Sequence, residues 1–479
     1  MPKRINVKNR TLFHGDNLDF LRSINTGTIH LIATDPPFNK GRDFHATPDS
    51  LAAGAKFKDR WSWKQDVHET WTDQIQDDWP AVWRCIDHAR NVYGDDMGAF
   101  LCFLGVRMIE MHRILRPDGS IYLHCDPTAS HYIKTLMDAV FGHRNFRNEI
   151  VWCYTGPSGT KKKFPQKHDT ILRYTRGGVW TFSADAVRIP YKEGARFTMG
   201  GGGSLARRSK NGTTWEDGVE EQLEKGKIVE DYWTDIPSLS VSKERIGFPT
   251  QKPIALYERI IQASSNPGDW VLDPFCGCAT TPVAAEILGR KWIGMDLWER
   301  SLGILAYRFR RQAIKIAQGD DILRQFLAEL KTARTKSPGE SKMIDDVQAV
   351  LDQDPLPGTE RGEITFATEP PLRSADRART PPVLRTPEGK VSEPRQSREE
   401  MFLSLIQKDG MVCRGCDREF DDRLYLELDH MLPKSDGGTN AIENRALLCG
   451  PCNRIKSNKL TLTGLRAQNR KLRRMAGQS

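Results

Sequence analysis

Short apolar runs bounded by turn residues alternate with longer amphipathic stretches between residue 1 and about residue 330. Four of the runs have the length and composition of buried strands, namely residues 28–33, 120–125 (after a turn at 117–119), 269–273 and 291–296. Apolar residues at helical spacing lie between them, for example over residues 97–115 and 254–264. This alternation predicts an α/β fold in which helices cover both faces of a parallel sheet.

The pattern breaks after residue 330. From 331 to 398, prolines and charged residues are frequent, large apolar residues are sparse and no period holds, so we predict a mostly disordered linker. A compact module with a basic tail follows over residues 399–479. The chain of 479 residues is long enough for both ordered parts to bury a core.

Composition and charge narrow the class of protein. A formal net charge of +9 is compatible with a polyanionic partner. The chain has no apolar run long enough for a membrane span, and its first residues lack the apolar core of a secretory signal. We therefore expect a cytoplasmic protein with no membrane partner. Thiols stay reduced in that compartment, so the ten cysteines are expected to be free core thiols or metal ligands.

The first candidate site is the tetrapeptide Asp35-Pro36-Pro37-Phe38, which directly follows the predicted strand at 28–33. Ligands of open α/β sheets bind beyond the carboxyl ends of strands, where this tetrapeptide falls. The Asp35 carboxylate and the rigidly held Pro36 carbonyl can accept both hydrogens of an exocyclic base amine, whose lone pair then points at a methyl donor. Phe38 offers a face on which a flipped-out base can stack. The alternative is an ordinary turn that ends a strand.

A second candidate site follows the predicted strand at 269–273. A tight turn of small residues leads into a helix and then into a strand that ends at Asp296. Gly277 lets backbone approach a ligand, and a carboxylate such as Asp296 accepts hydrogen bonds from ribose hydroxyls. The phosphate-binding GxGxxG pattern is absent, and Ala279 stands where a second glycine is expected. These features favour a phosphate-free nucleoside such as S-adenosylmethionine, with an NAD-type site as the competing interpretation.

Residues 10–330 resemble the beta-class DNA amino-methyltransferases, in which the catalytic motif precedes the cofactor motif. The Mod subunits of type III restriction systems are especially similar. The stretches that carry the resemblance are residues 13–17 (FHGDN), the Asp35 tetrapeptide, 113–120 (RILRPDGS), 148–152 (NEIVW), 168–172 (HDTIL) and the block from Thr250-Gln251-Lys252-Pro253 to Asp296. The resemblance implies a circularly permuted Rossmann-like domain with target recognition at about 155–248. It also implies S-adenosylmethionine as cofactor, double-stranded DNA as partner, and a family that often forms homodimers.

The same resemblance implies roles for individual residues. The Asp35 tetrapeptide would be catalytic, Asp296 would bind the cofactor's ribose, and Asp16 would lie near its adenine. Lys252 and Pro253 would approach the methionine end. The other residues expected to line the cofactor are Asp273, Phe275, Gly277 and Thr280. Cys278-Ala279 departs from the family's usual Ser-Gly, which affects the expected backbone geometry of the turn.

The choice of target base and target sequence is less directly encoded. By resemblance, aspartate rather than serine at position 35 favours adenine N6, with cytosine N4 as the alternative. The target-recognition segment contains basic residues and a glycine run, which suit phosphate contacts but also fit a solvated surface loop. These are Lys161–Lys163, Gly200–Gly203, Arg207, Arg208 and Lys210.

Two paired cysteine motifs mark the C-terminal module, Cys413-x-x-Cys416 and Cys449-x-x-Cys452. Four thiolates so spaced predict a closed tetrahedral zinc site, and closed sites are structural. A module of this size also needs such a staple because its core is thin. The alternative is four core cysteines without metal.

Residues around these cysteines resemble the HNH, or ββα-metal, nucleases. The match includes Asp429-His430 followed by Pro433, Gly437-Gly438, Asn444, Asn453 and Lys456. It implies that His430 is the general base and that Asp429 and Asn453 bind a divalent cation, Mg²⁺ or Mn²⁺, which stabilises the phosphate in the transition state. Asn444 would orient the loop that carries His430.

Three functions remain open at the level of sequence. A single-chain restriction–modification enzyme would methylate adenine and cut DNA that lacks the mark. A plain modification enzyme would use the tail only to bind DNA, and a third type would cut modified DNA. No acidic residue follows Glu443, so the end of the chain is uniformly basic, which suits nonspecific phosphate binding but is also common on a solvated face.

Overall fold

The structure is a computed structural model that describes residues 5–46, 50, 52, 55–156, 160–191, 222–239, 242–332, 338–353, 360–373, 398–433, 436, 438, 441–457 and 459–472. Among these residues the largest element is a nine-stranded sheet. Its strands are β1 (Thr11–His14), β2 (Ile29–Thr34), β5 (Leu115–Cys125), β6 (Phe146–Cys153), β7 (His168–Thr175), β8 (Tyr232–Trp233), β9 (Trp270–Asp273), β10 (Lys291–Asp296) and β11 (Thr365–Ala367). A separate hairpin consists of β3 (Phe44–His45) and β4 (Lys56–Phe57).

The strand order is β11-β1-β10-β9-β2-β5-β7-β6-β8. Neighbouring strands from β11 to β5 are parallel, whereas β7 is antiparallel to both β5 and β6. In the centre, β2 pairs with β9 through Leu31 opposite Val271 and Ile32 opposite Leu272. The carboxyl ends of two strands that are far apart in the sequence therefore lie side by side, at the position where open α/β sheets bind ligands.

Helices cover both faces of the sheet. One face carries α1 (Asn17–Ser23), α2 (Trp63–Asp66), α3 (Glu69–Asp78), α4 (Pro80–Tyr93), α5 (Asp95–Ile114) and α6 (Ser130–Phe141), and the other carries α7 (Ile254–Ser264), α8 (Thr280–Ile287) and α9 (Ser301–Arg311). Successive β2 residues alternate between the two cores, Ile32 in one and Leu31 in the other, as the pleat requires. The predicted α/β fold is confirmed, with an antiparallel part at one end of the sheet.

The predicted strands and helices are largely present, and β10 and α7 have the expected bounds. β5 differs because it begins at Leu115, ahead of the turn predicted at 117–119. Its pairing with β2 moves from Leu115 directly to Ser120, so residues 116–119 form an irregularity within the strand. Gly119 permits this close approach, because a Cβ there would lie 2.9 Å from the His30 carbonyl oxygen.

The prediction of a disordered linker over residues 331–398 is wrong for part of that segment. α11 (Pro338–Leu351) packs beside α10 (Gly319–Thr332), and β11 pairs with β1 at the edge of the sheet. Met343, Val347 and Val350 are buried in a cluster with residues of α9 and α10. Their spacing gives one narrow apolar stripe on an otherwise polar helix, which composition alone conceals. Residues 354–359 and 374–397 lie outside the described residues.

Residues 398–472, the C-terminal module, contain α12 (Arg398–Asp409), β12 (Leu426–His430), β13 (Arg445–Cys449), α13 (Gly450–Lys456) and α14 (Leu462–Lys471). β12 and β13 form an antiparallel hairpin that pairs His430 with Arg445, and α13 packs against it. The module has a small hydrophobic core of its own, formed by leucines and the four paired cysteines. The predicted ββα arrangement is therefore present. No helix in the described part of the chain is long and apolar enough to cross a membrane.

Candidate methyltransferase and nuclease sites

The segments that follow β2 and β9 contribute to the walls of one cleft, whose space of about 810 Å³ includes open solvent. The cleft brings together predicted site residues from distant parts of the sequence. Those in its lining are Asp35, Pro36, Pro37, Phe38, Lys252, Asp273, Phe275, Gly277, Thr280 and Asp296. Asp16 and Pro253, also predicted to contact the cofactor, are not part of this lining.

Asp35 has one engaged and one available carboxylate oxygen. Lys252 Nζ donates a hydrogen bond of 2.6 Å to Asp35 Oδ2 and another of 3.1 Å to Thr250 O. Asp35 Oδ1 is buried, and no group among the described residues forms a hydrogen bond with it. The Lys252 ammonium therefore orients the carboxylate and leaves Oδ1 able to accept a hydrogen from an amine. Sequence reasoning had placed Lys252 only beside the cofactor.

On the cofactor side, the turn between β9 and α8 is held against the end of β10. Asp296 Oδ2 accepts from Gly277 N at 2.7 Å, and Oδ1 accepts from Trp298 N at 2.8 Å. Burial raises the pKa of Asp296 above its ordinary value. Gly277 has φ +49°, and a Cβ there would lie 2.9 Å from the Phe248 ring. Glycine at this position therefore keeps the backbone accessible to a ligand.

Ala279, which departs from the family's pattern, precedes α8 with φ 63° and ψ 38°. This is the left-handed region, which costs an L-residue with a Cβ about 1–2 kcal/mol. The backbone geometry of the turn is thus of the kind that glycine favours, and the alanine adopts it under strain.

Asp273 lines the cleft, but protein groups occupy its oxygens. Oδ1 accepts from Thr34 Oγ1 at 2.7 Å and from Phe275 N at 3.1 Å, while Oδ2 accepts from Thr281 Oγ1 at 2.7 Å. Burial raises the pKa of Asp273 to about 7, despite these hydrogen bonds. Asp273 therefore connects β2, the turn and α8 through these hydrogen bonds.

Asp16 caps the first turn of α1, where its Oδ1 accepts from Leu18 N and from Arg107 Nη2, both at 2.9 Å. Burial alone would raise the pKa of Asp16, but the charge of Arg107 and the Leu18 amide outweigh it, so the pKa is below its ordinary value. The preceding residue connects α1 to the cofactor side of the cleft, because Gly15 N donates to Asp296 O at 3.1 Å.

Sequence reasoning missed a polar cluster behind Phe38. The Phe38 ring stacks on His124 with a centroid separation of 5.9 Å. His124 Nε2 lies 2.9 Å from Asp169 Oδ2, and Tyr154 Oη donates to Asp169 Oδ1 at 3.2 Å. Asp169 belongs to the 168–172 stretch that carries the family resemblance, which was the available signal. The cluster fixes the ring on which the target base is expected to stack.

The four paired cysteines of the C-terminal module converge. Their sulphur atoms all lie within 4.8 Å of one another, and Cys416 Sγ is 3.9 Å from Cys449 Sγ. Tetrahedral coordination at a Zn–S distance of about 2.3 Å separates the sulphurs by about 3.8 Å. Two sulphurs also accept hydrogen bonds, Cys413 Sγ from Cys449 N and Cys452 Sγ from Asn469 Nδ2. The geometry fits a structural metal site.

The predicted nuclease residues lie on the β12–β13 hairpin and on α13. Asn444 holds the segment after His430, since Leu432 N donates to Asn444 Oδ1 at 2.8 Å and Asn444 Nδ2 donates to Leu432 O at 3.0 Å. Gly438 lies against this segment, and a Cβ there would meet the Leu432 carbonyl oxygen at 1.9 Å. The position of Asn444 thus agrees with an orienting role. Gly437 lies outside the described residues.

Asp429 and Asn453, the predicted ligands of a divalent cation, are both buried. Lys456 Nζ lies 3.0 Å from Asp429 Oδ2, so the charge of this carboxylate is paired within the HNH domain. Asn453 Nδ2 donates to Glu427 Oε2. One carboxylate and one amide oxygen are suitable ligands for Mg²⁺ or Mn²⁺. Glu427 was not predicted, because only the fold brings it next to Asn453.

The basic end of the chain is partly neutralised within the fold. Four of its basic residues form ion pairs, namely Arg445 with Asp73, Arg454 with Asp19, Lys456 with Asp429, and Arg466 with Asp417. Asp19 and Asp73 belong to helices on the α/β sheet. The tail is therefore less available for nonspecific phosphate binding than its composition predicts. Arg473 and Arg474 lie outside the described residues.

In the predicted target-recognition segment, Lys161, Lys162 and Lys163 are exposed, and Phe164 next to them is 96% exposed. They lie between β6, which ends one residue before Tyr154, and β7, which contains Asp169. The glycine run at 200–203 and the basic residues that follow it lie outside the described residues.

A family model described as DNA methylase, of the N6/N4 type, matches residues 29–305. This is more than half of the chain and includes both strands that flank the cleft. The chain belongs to this DNA methylase family. A second model, described as HNH endonuclease, matches residues 413–459, which contain the four paired cysteines and the β12–β13 hairpin. The methylase therefore carries an HNH domain at its C-terminal end.

Proteins similar to this chain include bacterial DNA methyltransferases. The methylase is 28% identical over 300 residues to the DNA adenine methyltransferase YhdJ of Escherichia coli K12, covering 62% of this chain and 81% of that protein. It is also 28% identical over 278 residues to the type II methyltransferase M.HpaI of Haemophilus parainfluenzae, covering 58% and 67%. Among solved structures, the cytosine-N4-specific PvuII DNA methyltransferase aligns with a TM-score of 0.35 and 17% identity, covering 73% of this chain and 97% of that one.

Proposed function

We propose that the methylase transfers the methyl group of S-adenosylmethionine to N6 of adenine in double-stranded DNA, and that its HNH domain cleaves DNA with Mg²⁺ or Mn²⁺. The chain would then be a single-chain restriction–modification enzyme. One observation carries the methylation part of the proposal. Asp35, oriented by Lys252, keeps a buried carboxylate oxygen available within the cleft.

The residues of the cleft provide for the chemistry of an exocyclic amine. Such a nitrogen is a weak nucleophile because its lone pair is delocalised into the ring. Asp35 Oδ1 would accept one amine hydrogen and the Pro36 carbonyl the other, which directs the lone pair away from the ring plane. Phe38, supported by the His124–Asp169 pair, would hold the extrahelical base by stacking.

The cofactor part of the cleft fits S-adenosylmethionine, which when bound supplies an electrophilic methyl group. Gly277 leaves backbone accessible and Asp296 lies at the end of β10, where a ribose is expected in a Rossmann-like fold. Lys252 and Thr280 line the same cleft. Asp16, whose pKa is held down, lies at the start of α1 beside that strand end. We assign the adenine end of the cofactor to the side of the cleft nearest Asp16.

Adenine rather than cytosine is proposed as the target for two reasons. Aspartate occupies the first position of the catalytic tetrapeptide, and the similar protein YhdJ is named as a DNA adenine methyltransferase. The hydrogen-bonding role of Asp35 would also serve cytosine N4, so the base must be identified by measurement.

Cleavage is proposed from the set of residues on the HNH domain. His430 would activate water, and Asp429 and Asn453 would hold a divalent cation that stabilises charge on the phosphate. Zinc on the four cysteines would hold the hairpin and α13 together. We also propose that the protein is cytoplasmic, in keeping with ten cysteines that form no disulfide among the described residues. A homodimer stays a prediction that sedimentation would test.

The test of methylation is modified-base sequencing of DNA from cells that express either the intact chain or its Asp35→Ala variant. We expect N6-methyladenine at one recurrent sequence with the intact chain and none with the variant. N4-methylcytosine at that sequence would contradict the choice of base, and the absence of any modified base would contradict the reaction.

The test of cleavage is incubation of the purified chain with unmethylated and premethylated plasmid, Mg²⁺ or Mn²⁺, and S-adenosylmethionine present or absent. Cutting of unmethylated plasmid that His430→Ala abolishes would support a restriction–modification enzyme. Cutting of premethylated plasmid alone would instead indicate a nuclease for modified DNA. No cutting, with Asp35-dependent methylation intact, would make the HNH domain a DNA-binding module.

A further inference from the structure

The catalytic face of the HNH domain is packed against the methyltransferase domain. β12 contacts α3, and ion pairs join Asp19 to Arg454 and Arg22 to Glu427. In addition, His68 Nε2 lies 2.9 Å from Asn453 O. The contacts therefore involve α13 and the hairpin, the elements that carry the predicted cleavage residues.

Asp73 of α3 lies at the centre of this interface. Its Oδ2 is 3.3 Å from both Nη1 and Nη2 of Arg445 and 3.8 Å from Nε2 of His430. Arg445 Nη1 is in turn 3.3 Å from His430 Nδ1. A single carboxylate oxygen thus lies between the arginine fork and the predicted general base. All three side chains are buried.

A carboxylate and a phosphate present similar chemistry to an arginine fork. Both are anions with oxygen acceptors, and both bind guanidinium groups through charge-assisted hydrogen bonds. A buried arginine also requires an anionic partner, because an unpaired charge is costly away from water. When the HNH domain leaves α3, Arg445 loses Asp73. The same separation exposes Arg445 to solvent, where it can pair with an anion adjacent to His430, and in a nuclease that anion is a DNA phosphate.

We propose that Arg445 is a phosphate-binding residue of the nuclease site and that Asp73 occupies the place of the DNA phosphate in the docked arrangement. The inference rests on the proposed nuclease function. It makes α3 of the methyltransferase domain the binding partner of the nuclease's catalytic face. DNA reaches His430 only after that face separates from α3.

Other contacts across this interface also involve residues next to the predicted cleavage site. Arg22 pairs with Glu427, and Glu427 accepts a hydrogen bond from Asn453, a predicted ligand of the divalent cation. The methyltransferase domain therefore contacts the general base, the phosphate-binding arginine and the surroundings of a metal ligand together. Separation of the domains would free all three for DNA in one step.

The test is a double-mutant cycle in the full chain with wild type, Asp73→Ala, Arg445→Ala and the double variant. Cleavage of plasmid in Mn²⁺ should rise at least about tenfold in Asp73→Ala, since truncating one partner of a buried charge pair has effects of this size. The gain should be absent from the double variant, and Arg445→Ala alone should cut more slowly than wild type because it lacks the phosphate-binding side chain. Asp73→Asn removes the charge at nearly constant volume and should also increase cleavage. Gln76→Ala, at an exposed position of the same helix, is the matched control and should leave cleavage unchanged.

A second readout is independent of cleavage. Binding of a fluorescent 20-base-pair duplex is measured at fixed salt without added Mg²⁺ or Mn²⁺ for the same four proteins, after zinc content and thermal midpoint have shown that each is folded. Asp73→Ala should bind the duplex more tightly through Arg445. If it does so without cutting, the docked phosphate site stands and the nuclease function fails. If Asp73→Ala neither binds nor cuts more than wild type, or if the gain persists without Arg445, the inference is overturned.

Discussion

The methyltransferase cleft and the predicted nuclease site differ in whether their charged groups are available to a ligand. In the methyltransferase cleft, Asp35 has one oxygen held by Lys252 and one available to a ligand. On the HNH domain, His430 is wholly buried and the arginine beside it is paired with Asp73 of the other domain. Both sites are built from buried charged groups, but only in the nuclease site does a second domain supply the counter-ion.

The difference teaches how the same kind of ion pair serves two purposes. Lys252 and Asp35 both line one cleft, so in the proposed reaction their pair prepares an acceptor for substrate. Arg445 and Asp73 come from different domains, so their pair has to break before a phosphate can bind. Marking DNA would then be the resting activity of the chain, and cutting would require a change of domain arrangement.

Loss of the metal should produce the largest difference between the two regions, because it should affect the C-terminal module and not methylation. Cys449→Ser should lose the zinc and the fold of the C-terminal module, because a structural zinc contributes about 10–16 kcal/mol to such domains. Methylation should stay within about twofold of wild type, since the cleft has its own cores. Bound zinc by mass spectrometry and methyl transfer from labelled cofactor measure both. Cys85→Ser, outside the cluster, is the control, and a module that stays folded without zinc would contradict the prediction.

Stability of the methyltransferase region should depend on pH through Asp273. Burial raises its pKa to about 7, whereas the unfolded chain loses this proton near pH 4. The stabilising contribution is therefore fully present below pH 4 and is lost as the pH rises to 7, by up to about 4 kcal/mol. Denaturant unfolding of wild type and Asp273→Asn between pH 4 and 8 should show a weaker pH dependence in the variant. If wild type and Asp273→Asn show the same pH dependence of stability, a group other than Asp273 causes it.

Lys252→Met should lower the single-turnover rate of methylation by about 10- to 100-fold, because Asp35 loses the ammonium that orients it. Lys252→Arg should recover part of the rate, and Lys243→Met, which changes an exposed lysine, should have no effect. If Lys252→Met raises KM for the cofactor and leaves the rate constant unchanged, Lys252 acts in cofactor binding alone.

Arg22→Ala should increase nuclease activity only about two- to fivefold, less than Asp73→Ala. Arg22 and Glu427 are about one-fifth exposed, and pairs of this kind are worth roughly 0.2–1 kcal/mol. Plasmid cleavage in Mn²⁺ measures the effect, with Arg84→Ala as the control because Arg84 is exposed on α4. An increase equal to that of Asp73→Ala would mean that the whole interface, rather than the phosphate site, restrains the nuclease.

Much of the architecture could be predicted from the sequence. β10 and α7 have the expected bounds because apolar runs and turn residues are local signals. The Asp35 tetrapeptide and the four cysteines could be identified because their chemistry lies in adjacent or closely spaced residues. The linker was partly mispredicted because the apolar stripe of α11 is narrow, and β11 has too few residues to form a strand without β1 beside it.

Residue chemistry and local periodicity were thus sufficient to indicate a methyltransferase cleft and a zinc-stapled HNH domain. Only the tertiary structure decided which charged groups meet. Lys252 reaches Asp35 because α7, the helix that begins two residues after Lys252, packs on β2, and Asp73 reaches Arg445 because the HNH domain packs on α3. Contacts of this kind depend on register and domain packing between distant segments, and the energy of burying a charge then selects its partner. For Asp35 that partner lies within the cleft, and for the nuclease site it lies in the other domain.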